Sequence, residues 1–280
     1  MTYDSSSVRA YFDDFGEREW ARLETDIQGR SNYAVHKRFL DQYVRSGMRV
    51  LDIGSGPGRF AIDLVNAGAE VTVADLSPVQ VELARKNLTA RGLLDRVVEF
   101  RQLDVLDMQS LGEAAYDVVV CFGGVVSYTK ERHPEALRAL RRVVRPDGFA
   151  LISVMSLYGV LRLVGPLDAA SVVESIDDHI DWQSVLDGAD VVYTRPGSVE
   201  FHQPLALFTS AGLRRVAMEA DLVVESMAAA NPILPVYTPV PKLEASPDAA
   251  EALQSFELAV CDCPGLLDAG GHLMVVARRP

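Results

Sequence analysis

The sequence predicts an α/β fold with a mostly parallel central sheet, and two observations support this prediction. Short apolar runs rich in Val and Ile alternate with helical patterns from residue 48 to residue 156. Continuous apolar runs are typical of strands buried on both faces, as in a parallel sheet covered by helices. The second observation is a glycine-rich turn directly after the first run, because such turns follow the first strand of many α/β sheets.

Each element of this region is bounded by recognisable signals. Ser77 before Pro78 is a typical helix start, because the serine can cap the helix and proline suits its first turn. Gly148 after Pro146 and Asp147 turns the chain into the fifth strand. The predicted strands are 49–53, 70–75, 97–103, 116–121 and 149–155, with helices at 58–67, 78–91 and 134–144.

The segments on either side of this region give weaker signals. Residues 1–47 predict three helices, over Val8 to Phe15, over Glu17 to Ile27, and after a capping Ser31. After residue 156 the pattern is less regular. The elements expected there are a helix from Tyr158 to Val164, a helix from Pro204 to Ala211 ended by Gly212, a strand from Arg214 to Glu225, a helix near Asp248 to Cys261, and a strand from His272 to Arg278.

The glycine turn indicates the chemistry of a bound ligand. Gly54, Gly56 and Gly58 alternate with other residues, so a ligand can lie against bare backbone. A dinucleotide site prefers Gly-x-Gly-x-x-Gly, whereas the third glycine here comes one residue early. Asp52 would repel a pyrophosphate and would suit a ligand with an ammonium or sulfonium charge. The turn therefore favours S-adenosylmethionine over a nicotinamide cofactor.

Five motifs in order over residues 48–156 resemble those of class I S-adenosylmethionine-dependent methyltransferases. They are Val50–Phe60, Val71–Ser77, Phe100–Val105, Tyr116–Gly123 and Leu140–Gly148. The resemblance implies a Rossmann-like seven-stranded sheet of order 3-2-1-4-5-7-6, with strand 7 antiparallel and helices on both faces. It also implies an N-terminal helical cap over the cofactor. The sequence departs from the family's pattern by carrying insertions after strands 5 and 6.

The resemblance also assigns cofactor contacts. Asp75 lies 19 residues beyond Gly56, where an acidic residue can accept hydrogen bonds from both ribose hydroxyls. The family's third motif implies that Asp104 meets the adenine amino group. The full set expected to bind the cofactor is Asp52, Gly54, Ser55, Gly56, Gly58, Asp75, Leu76, Asp104, Val105, Phe122 and Tyr11.

Candidate catalytic residues are less sharply defined. A general base is needed only if the acceptor loses a proton during attack, as a hydroxyl would. Tyr128 follows the fourth strand, at the rim where ligands bind in open α/β sheets. His36 lies in the N-terminal cap and His202 precedes the sixth strand; His133 and His179 are further candidates. We take His36, Tyr128 and His202 as the catalytic candidates, with an ordinary packing or structural role as the alternative for each.

The amino-acid composition limits the classes of partner and the compartment that we expect for this protein. The net charge of −12 and the pI near 4.9 argue against nucleic acid or an acidic membrane surface. Three cysteines form no disulfide framework and, with no signal peptide or long apolar run, predict a cytoplasmic protein. No metal-ligand constellation is expected, since Cys261-x-Cys263 is tighter than zinc spacing.

Together these observations predict one methyltransferase domain over residues 1–280. This domain would consist of a cap at 1–47, a cofactor-binding core at 48–156 and two insertions, at 157–203 and 226–271. The insertions would shape the acceptor site or a homodimer contact. We expect methyl transfer to an oxygen or nitrogen of a small molecule, in keeping with specialised metabolism. The alternatives are a protein or RNA acceptor, a nicotinamide-dependent reductase, which the missing Tyr-x-x-x-Lys pair disfavours, and a cofactor-binding protein without catalysis.

Overall fold

A computed structural model describes residues 2–164, 180–195, 203–234 and 246–280. Its strands fall close to the apolar runs of the sequence, and the first, second and fourth coincide with the predicted bounds. The strands are β1 Arg49–Ile53, β2 Glu70–Asp75, β3 Val97–Gln102, β4 Tyr116–Cys121, β5 Val144–Met155, β6 Val191–Tyr193, β7 Ala206–Phe208, β8 Val223–Ala230 and β9 His272–Arg278.

One seven-stranded sheet organises the fold. Its order is β3-β2-β1-β4-β5-β9-β8, so the predicted order is confirmed, with β9 as the seventh strand and β8 as the sixth. The first five strands pair in parallel, and β9 runs antiparallel to both β5 and β8. Strand β1 lies between β2 and β4, which places the glycine turn at the centre of the sheet's carboxyl edge.

Helices cover both faces of this sheet because side chains alternate along each strand. In β4, Val118 and Val120 belong to the core on one face of the sheet, whereas Val119 and Cys121 belong to the core on the other face. The helices are α1 Ser5–Phe15, α2 Arg18–Ala21, α3 Ile27–Tyr43, α4 Arg59–Asn66, α5 Pro78–Thr89, α6 Val125–Tyr128, α7 His133–Val143, α8 Leu157–Val164, α9 Trp182–Leu186, α10 Ser210–Glu219 and α11 Pro247–Val260, with 3₁₀ turns at Leu94–Arg96, Lys130–Arg132 and Pro264–Ala269.

The N-terminal helices begin earlier than the sequence suggested, because aspartates rather than serines cap them. The Asp4 side chain accepts a hydrogen bond from the Ser6 amide, and the Asp26 side chain accepts one from the Gly29 amide. The predicted cap at Ser31 is therefore wrong, and Ser31 lies inside α3. Only the short α2 forms within the helix predicted for 17–27.

The prediction for 204–225 was wrong. Residues 206–208 form β7, which pairs with β6, and α10 then occupies much of the expected strand. Thr209 caps α10 by accepting a hydrogen bond from the Gly212 amide at 2.9 Å. Gly212 lies in the first turn of that helix instead of ending it. A Cβ there would come within 2.4 Å of the Asp190 carbonyl oxygen, so glycine permits close packing against the β6 segment.

The second insertion packs on the N-terminal cap. Helix α11 lies against α3, where the Arg38 guanidinium contacts the Cys261 thiol at 3.2 Å and the Asp262 carboxylate at 3.1 Å. Much of the first insertion, including His179 and His202, lies outside the described residues. Within the described ranges, no helix is long and apolar enough to cross a membrane. Nor does any group of three His, Cys, Asp or Glu side chains in those ranges form a metal site.

Candidate functional site

The glycine turn forms the floor of a cavity at the carboxyl edge of the sheet. All three of its glycines have positive φ, at +73° for Gly54, +52° for Gly56 and +84° for Gly58. The amides of Gly54 and Ser55 both donate to the Ala74 carbonyl, which fixes the turn to the end of β2. A Cβ on Gly54 would lie 2.1 Å from a Val125 methyl group, so the turn packs directly against α6.

Asp75 is oriented by two backbone amides. Its Oδ2 accepts a hydrogen bond from the Gly56 amide at 2.8 Å and its Oδ1 accepts one from the Ser77 amide at 2.9 Å. Burial raises the pKa of Asp75 to about 6, although these two hydrogen bonds lower it. Each carboxylate oxygen keeps a second lone pair. Asp75 can therefore accept two further hydrogen bonds from a ligand that bears a pair of hydroxyls.

Asp104 marks a second polar point of the same cavity. Its Oδ1 accepts a hydrogen bond from the Leu106 amide at 2.9 Å, and its Oδ2 accepts one from the Tyr3 hydroxyl at 2.9 Å. Burial and the neighbouring Asp104 charge raise the pKa of Tyr3, so its hydroxyl keeps the proton that it donates. The cap thus reaches across the cavity to the acid that the family resemblance assigns to adenine.

The cavity is lined by apolar side chains together with the two acids, as small-molecule sites commonly are. It lies between the carboxyl ends of the central strands and the N-terminal cap. The structure brings to its wall these residues of the predicted site: Gly54, Gly56, Asp75, Leu76, Asp104, Val105, Phe122 and Tyr128. Sequence analysis missed the cap residues Tyr3, Val8, Phe12 and Glu19, which line the opposite side. The aromatic composition of the first helix was the only signal that could have suggested them.

The cap is fixed to the core by polar contacts at the end of α1. The Ser77 hydroxyl donates to Asp13 at 2.5 Å, and the Gln80 side chain donates to the carbonyls of Phe12 and Gly16. The Tyr128 ring meets Phe12 edge-on with ring centroids 5.3 Å apart. These contacts hold an aromatic roof over the glycine turn.

Four of the predicted cofactor-binding residues lie away from this wall. Ser55 is buried within the turn, Gly58 packs against Ala84 of α5, and the Tyr11 ring contacts Phe12 and Phe15 on its own helix. Asp52 is the most informative of them, because Ile53 lines the cavity and the neighbouring side chain in a strand points to the opposite face.

Asp52 is therefore buried behind the wall, under the helices of the other face. Burial, followed by the charges of Asp75 and Asp63, raises its pKa to about 8. Within the described part of the chain, its Oδ2 has no hydrogen-bond partner. Burial therefore disfavours the negative charge that the sequence analysis expected Asp52 to present to the ligand, and its contact with the cofactor stays a prediction.

Two of the three catalytic candidates, Tyr128 and His36, lie within the described residues, and they occupy different positions. Tyr128 lines the cavity, whereas His36 is buried in α3 and lies behind Phe122, with ring centroids 4.7 Å apart. Burial lowers the pKa of His36 to about 4. His133 packs against Phe208 on the opposite face of the sheet. The catalytic roles of Tyr128 and His36 remain predictions.

The sheet order, the glycine turn and the two acids at successive strand ends define a Rossmann-like methyltransferase fold. Residues 50–148 match the methyltransferase domain family. The predicted resemblance to the class I S-adenosylmethionine-dependent methyltransferases is confirmed, and the family match covers residues 50–148.

Sequence relatives differ in their acceptors. The chain is 28% identical over 185 residues to a ubiquinone biosynthesis O-methyltransferase of Alkalilimnicola ehrlichii, covering 65% of this chain and 63% of that protein. It is 27% identical over 154 residues to the tRNA 5-carboxymethoxyuridine methyltransferase of Escherichia coli, covering 54% and 58%. The chain thus spans about three fifths of the length of the curated relatives that it matches.

Solved structures extend the likeness over almost the whole chain. The 1,6-didemethyltoxoflavin-N1-methyltransferase of Burkholderia thailandensis, solved with 1,6-didemethyltoxoflavin and S-adenosylhomocysteine, has a TM-score of 0.56 at 17% identity, covering 98% of this chain and 88% of that one. A putative methyltransferase of Haloferax volcanii in complex with the activator Trm112 gives 0.59 at 18%, covering 95% and 96%. At these identities the likeness establishes the fold alone.

Proposed function

We propose that this protein transfers the methyl group of S-adenosylmethionine to an oxygen or nitrogen of a small molecule. The observation that carries the proposal is the pair of acids at successive strand ends, Asp75 and Asp104, facing one covered cavity above a glycine turn. The match of residues 50–148 to the methyltransferase domain family supports the cofactor, and the glycine turn, Asp75 and Asp104 stand where the predicted resemblance expects them.

The residues present fit this cofactor. The Asp75 carboxylate, oriented by the amides of Gly56 and Ser77, has the free lone pairs that a ribose diol requires. Leu76 and Val105 provide apolar walls beside Asp104, as a planar base requires. When bound, S-adenosylmethionine supplies a methyl group that its sulfonium charge already makes electrophilic.

The protein's contribution is then to bind, orient and exclude water. The roof formed by Tyr3, Val8 and Phe12 shields the cavity from solvent, and a dry site strengthens the hydrogen bonds to Asp75 and Asp104. Holding two reactants in a fixed geometry supplies most of the rate gain in such transfers. Tyr128, at the rim between Phe12 and Gly124, is placed to contact an acceptor that enters beside the cofactor.

Two features support a small acceptor. The cavity is covered by the cap, which leaves little room for a folded macromolecule, and the chain carries a net charge of −12. The similarity to a tRNA methyltransferase keeps an RNA acceptor as the second candidate. A strongly acidic protein would bind a polyanion weakly unless a local basic surface compensates.

Methyl incorporation into separated cell fractions distinguishes the two candidates. The protein would be incubated with methyl-labelled S-adenosylmethionine and, in parallel, with a metabolite fraction below about 1 kDa, total tRNA, and total protein. We expect label in the metabolite fraction, and its loss with Asp75→Ala but not with Glu82→Ala, an exposed residue of α5. Label confined to tRNA or protein would contradict the small-molecule acceptor.

A further inference from the structure

A third carboxylate lines the cofactor cavity, and it comes from the N-terminal cap. Glu19, the second residue of α2, belongs to the wall of this cavity, and its side chain is 17% exposed. The function proposed above uses Asp75 for the ribose and Asp104 for the adenine. Among the described residues of the wall, Glu19 is therefore the one carboxylate to which the proposed function gives no part of the cofactor.

Glu19 lies against the glycine turn. A Cβ on Gly56 would come within 3.4 Å of the Glu19 Cγ, so the two residues are in close contact. The amide of the same glycine donates to Asp75 Oδ2 at 2.8 Å. Glu19 and Asp75 thus meet at Gly56, and a single ligand that carries a diol and a cationic group a few bonds apart can contact both.

The described part of the cavity wall is acidic. It holds Glu19, Asp75 and Asp104, and no lysine, arginine or histidine among the described residues lines it. Burial raises the pKa of Asp75, two backbone hydrogen bonds lower it, and the charge of Glu19 raises it further. The Glu19 and Asp75 carboxylates therefore repel each other, and a cation bound near them would relieve this repulsion.

Arg22 orients the Glu19 carboxylate from outside the cofactor cavity, whose wall it does not join. The Arg22 Nε donates to both carboxylate oxygens, at 3.1 Å to Oε1 and 3.2 Å to Oε2, and its Nη2 also donates to Oε1. A carboxylate offers about four acceptor positions, two on each oxygen. Within the described residues, Glu19 Oε2 therefore keeps one position for a further donor.

The short helix α2 is fixed to the helix that follows the glycine turn. The guanidinium of Arg59, the first residue of α4, lies 4.6 Å from the centroid of the Trp20 ring and forms an ion pair with Glu24. The Trp20 Nε1 donates to Glu24 Oε2 at 2.9 Å. Because Trp20 directly follows Glu19, these contacts fix Glu19 relative to the turn. A carboxylate held in place in this way binds a cation with little further cost of ordering.

We propose that Glu19 binds the ammonium group at the amino-acid end of the cofactor. This inference rests on the proposed function and assigns the cationic part of the ligand to a residue of the cap. Glu19 thereby takes the role that the sequence analysis gave to Asp52, because Glu19 lines the cavity and Asp52 does not. Hydrogen bonds between two charged groups are stronger than neutral ones, so Glu19 favours a complete adenosyl amino acid over a simple adenosine thioether.

Four related ligands isolate the ammonium contact in calorimetric titrations of the whole chain. They are S-adenosylhomocysteine, an analogue that lacks only its carboxylate, an analogue that lacks only its amino group, and methylthioadenosine, which lacks the whole amino-acid end. Glu19→Gln keeps the size of the side chain and removes its charge. We expect this variant to bind the first two ligands about tenfold more weakly than wild type and to bind the last two no more weakly.

Glu17→Gln is the matched control. Glu17 belongs to the same cap, and its side chain is 75% exposed in an ion pair with Lys86, so this variant should bind all four ligands as wild type does. The melting temperature of Glu19→Gln is measured in parallel, because Arg22 loses its ion-pair partner there. Wild type supplies a test that needs no variant: the analogue without the amino group should bind about tenfold more weakly than S-adenosylhomocysteine.

Three results would overturn the proposal. The first is an equal weakening of all four ligands in Glu19→Gln, which would mean that Glu19 supports the cap without contacting the ammonium. The second is an unchanged affinity of a folded Glu19→Gln for S-adenosylhomocysteine. The third is wild-type binding of the analogue without the amino group as tightly as S-adenosylhomocysteine. Failure of both S-adenosylhomocysteine and methylthioadenosine to bind wild type would instead refute the proposed function.

Discussion

Replacing Asp52 with asparagine tests whether burial keeps this carboxyl protonated. The pKa of Asp52 rises from an unfolded value of 3.8 to about 8 in the folded protein. Between these two values the folded protein holds a proton that the unfolded chain has released. Stability contributed by this group is therefore present at low pH and is lost as pH rises toward 8. The asparagine side chain of the variant cannot ionise and has no such dependence.

The magnitude follows from the size of the shift. In the window between the two pKa values, the free energy of unfolding changes by about 1.4 kcal/mol per pH unit for one proton. From pH 5 to pH 8, wild type should therefore lose up to about 4 kcal/mol relative to Asp52→Asn. Titrating groups far from Asp52 are common to both proteins, and their contributions cancel in the difference, whereas the charge of Asp75, which helps to raise the pKa of Asp52, contributes to it.

Urea unfolding at pH 5, 6.5 and 8 measures this difference directly. We expect the free energy of unfolding of Asp52→Asn, relative to that of wild type, to rise progressively from pH 5 to pH 8. Asp95→Asn, which removes an exposed carboxyl, is the control and should give a nearly constant difference. A constant difference for Asp52→Asn as well would refute the argument that the carboxyl is buried, uncharged and away from the ligand.

Two further predictions concern the cofactor cavity. Asp75→Ala should weaken the binding of S-adenosylhomocysteine by about 1–3 kcal/mol, because the ribose hydroxyls lose their acceptor, and calorimetry should show Glu82→Ala unchanged; equal affinities would place the ribose elsewhere. Tyr3→Phe should tighten that binding by about three- to tenfold, because the Tyr3 hydroxyl takes one of the two lone pairs of Asp104 Oδ2, and its loss leaves the carboxylate a stronger acceptor for the adenine amino group. The control is Tyr158→Phe, which changes an exposed tyrosine and should leave the affinity unchanged. An affinity of Tyr3→Phe equal to or weaker than that of wild type would show that the Tyr3 hydroxyl and the adenine amino group do not compete for Asp104.

Where local signals agreed with the fold, the sequence was sufficient. Apolar runs bounded by turn residues placed the parallel strands, because a strand buried on both faces has few polar positions to confuse the pattern. The prediction of secondary structure for 204–225 failed for a physical reason. Gly212 looks like a helix end, yet it is required by the backbone of Asp190, which is distant in sequence and close in space.

The residues of the candidate site likewise fall into those that local motifs could predict and those that depend on how distant segments pack. Asp75 and Asp104 could be assigned because each follows a strand within a recognisable motif. Tyr3 and Glu19 could not, since their place in the cavity depends on how the cap folds over the sheet. Asp52 stood in the right motif, but strand alternation turned its side chain to the other face. The rings of His36 and His272 come from distant parts of the chain, so no local pattern encodes their contact.

Calorimetric titration with S-adenosylhomocysteine, alongside NADH and NADPH, is the most direct test of the central claim. We expect micromolar binding of S-adenosylhomocysteine, whose ribose hydroxyls Asp75 can accept, and none of either nicotinamide cofactor, because the glycine turn lacks the Gly-x-Gly-x-x-Gly spacing that a dinucleotide prefers. Binding of a nicotinamide cofactor alone, or failure of the folded protein to bind S-adenosylhomocysteine, would contradict the account.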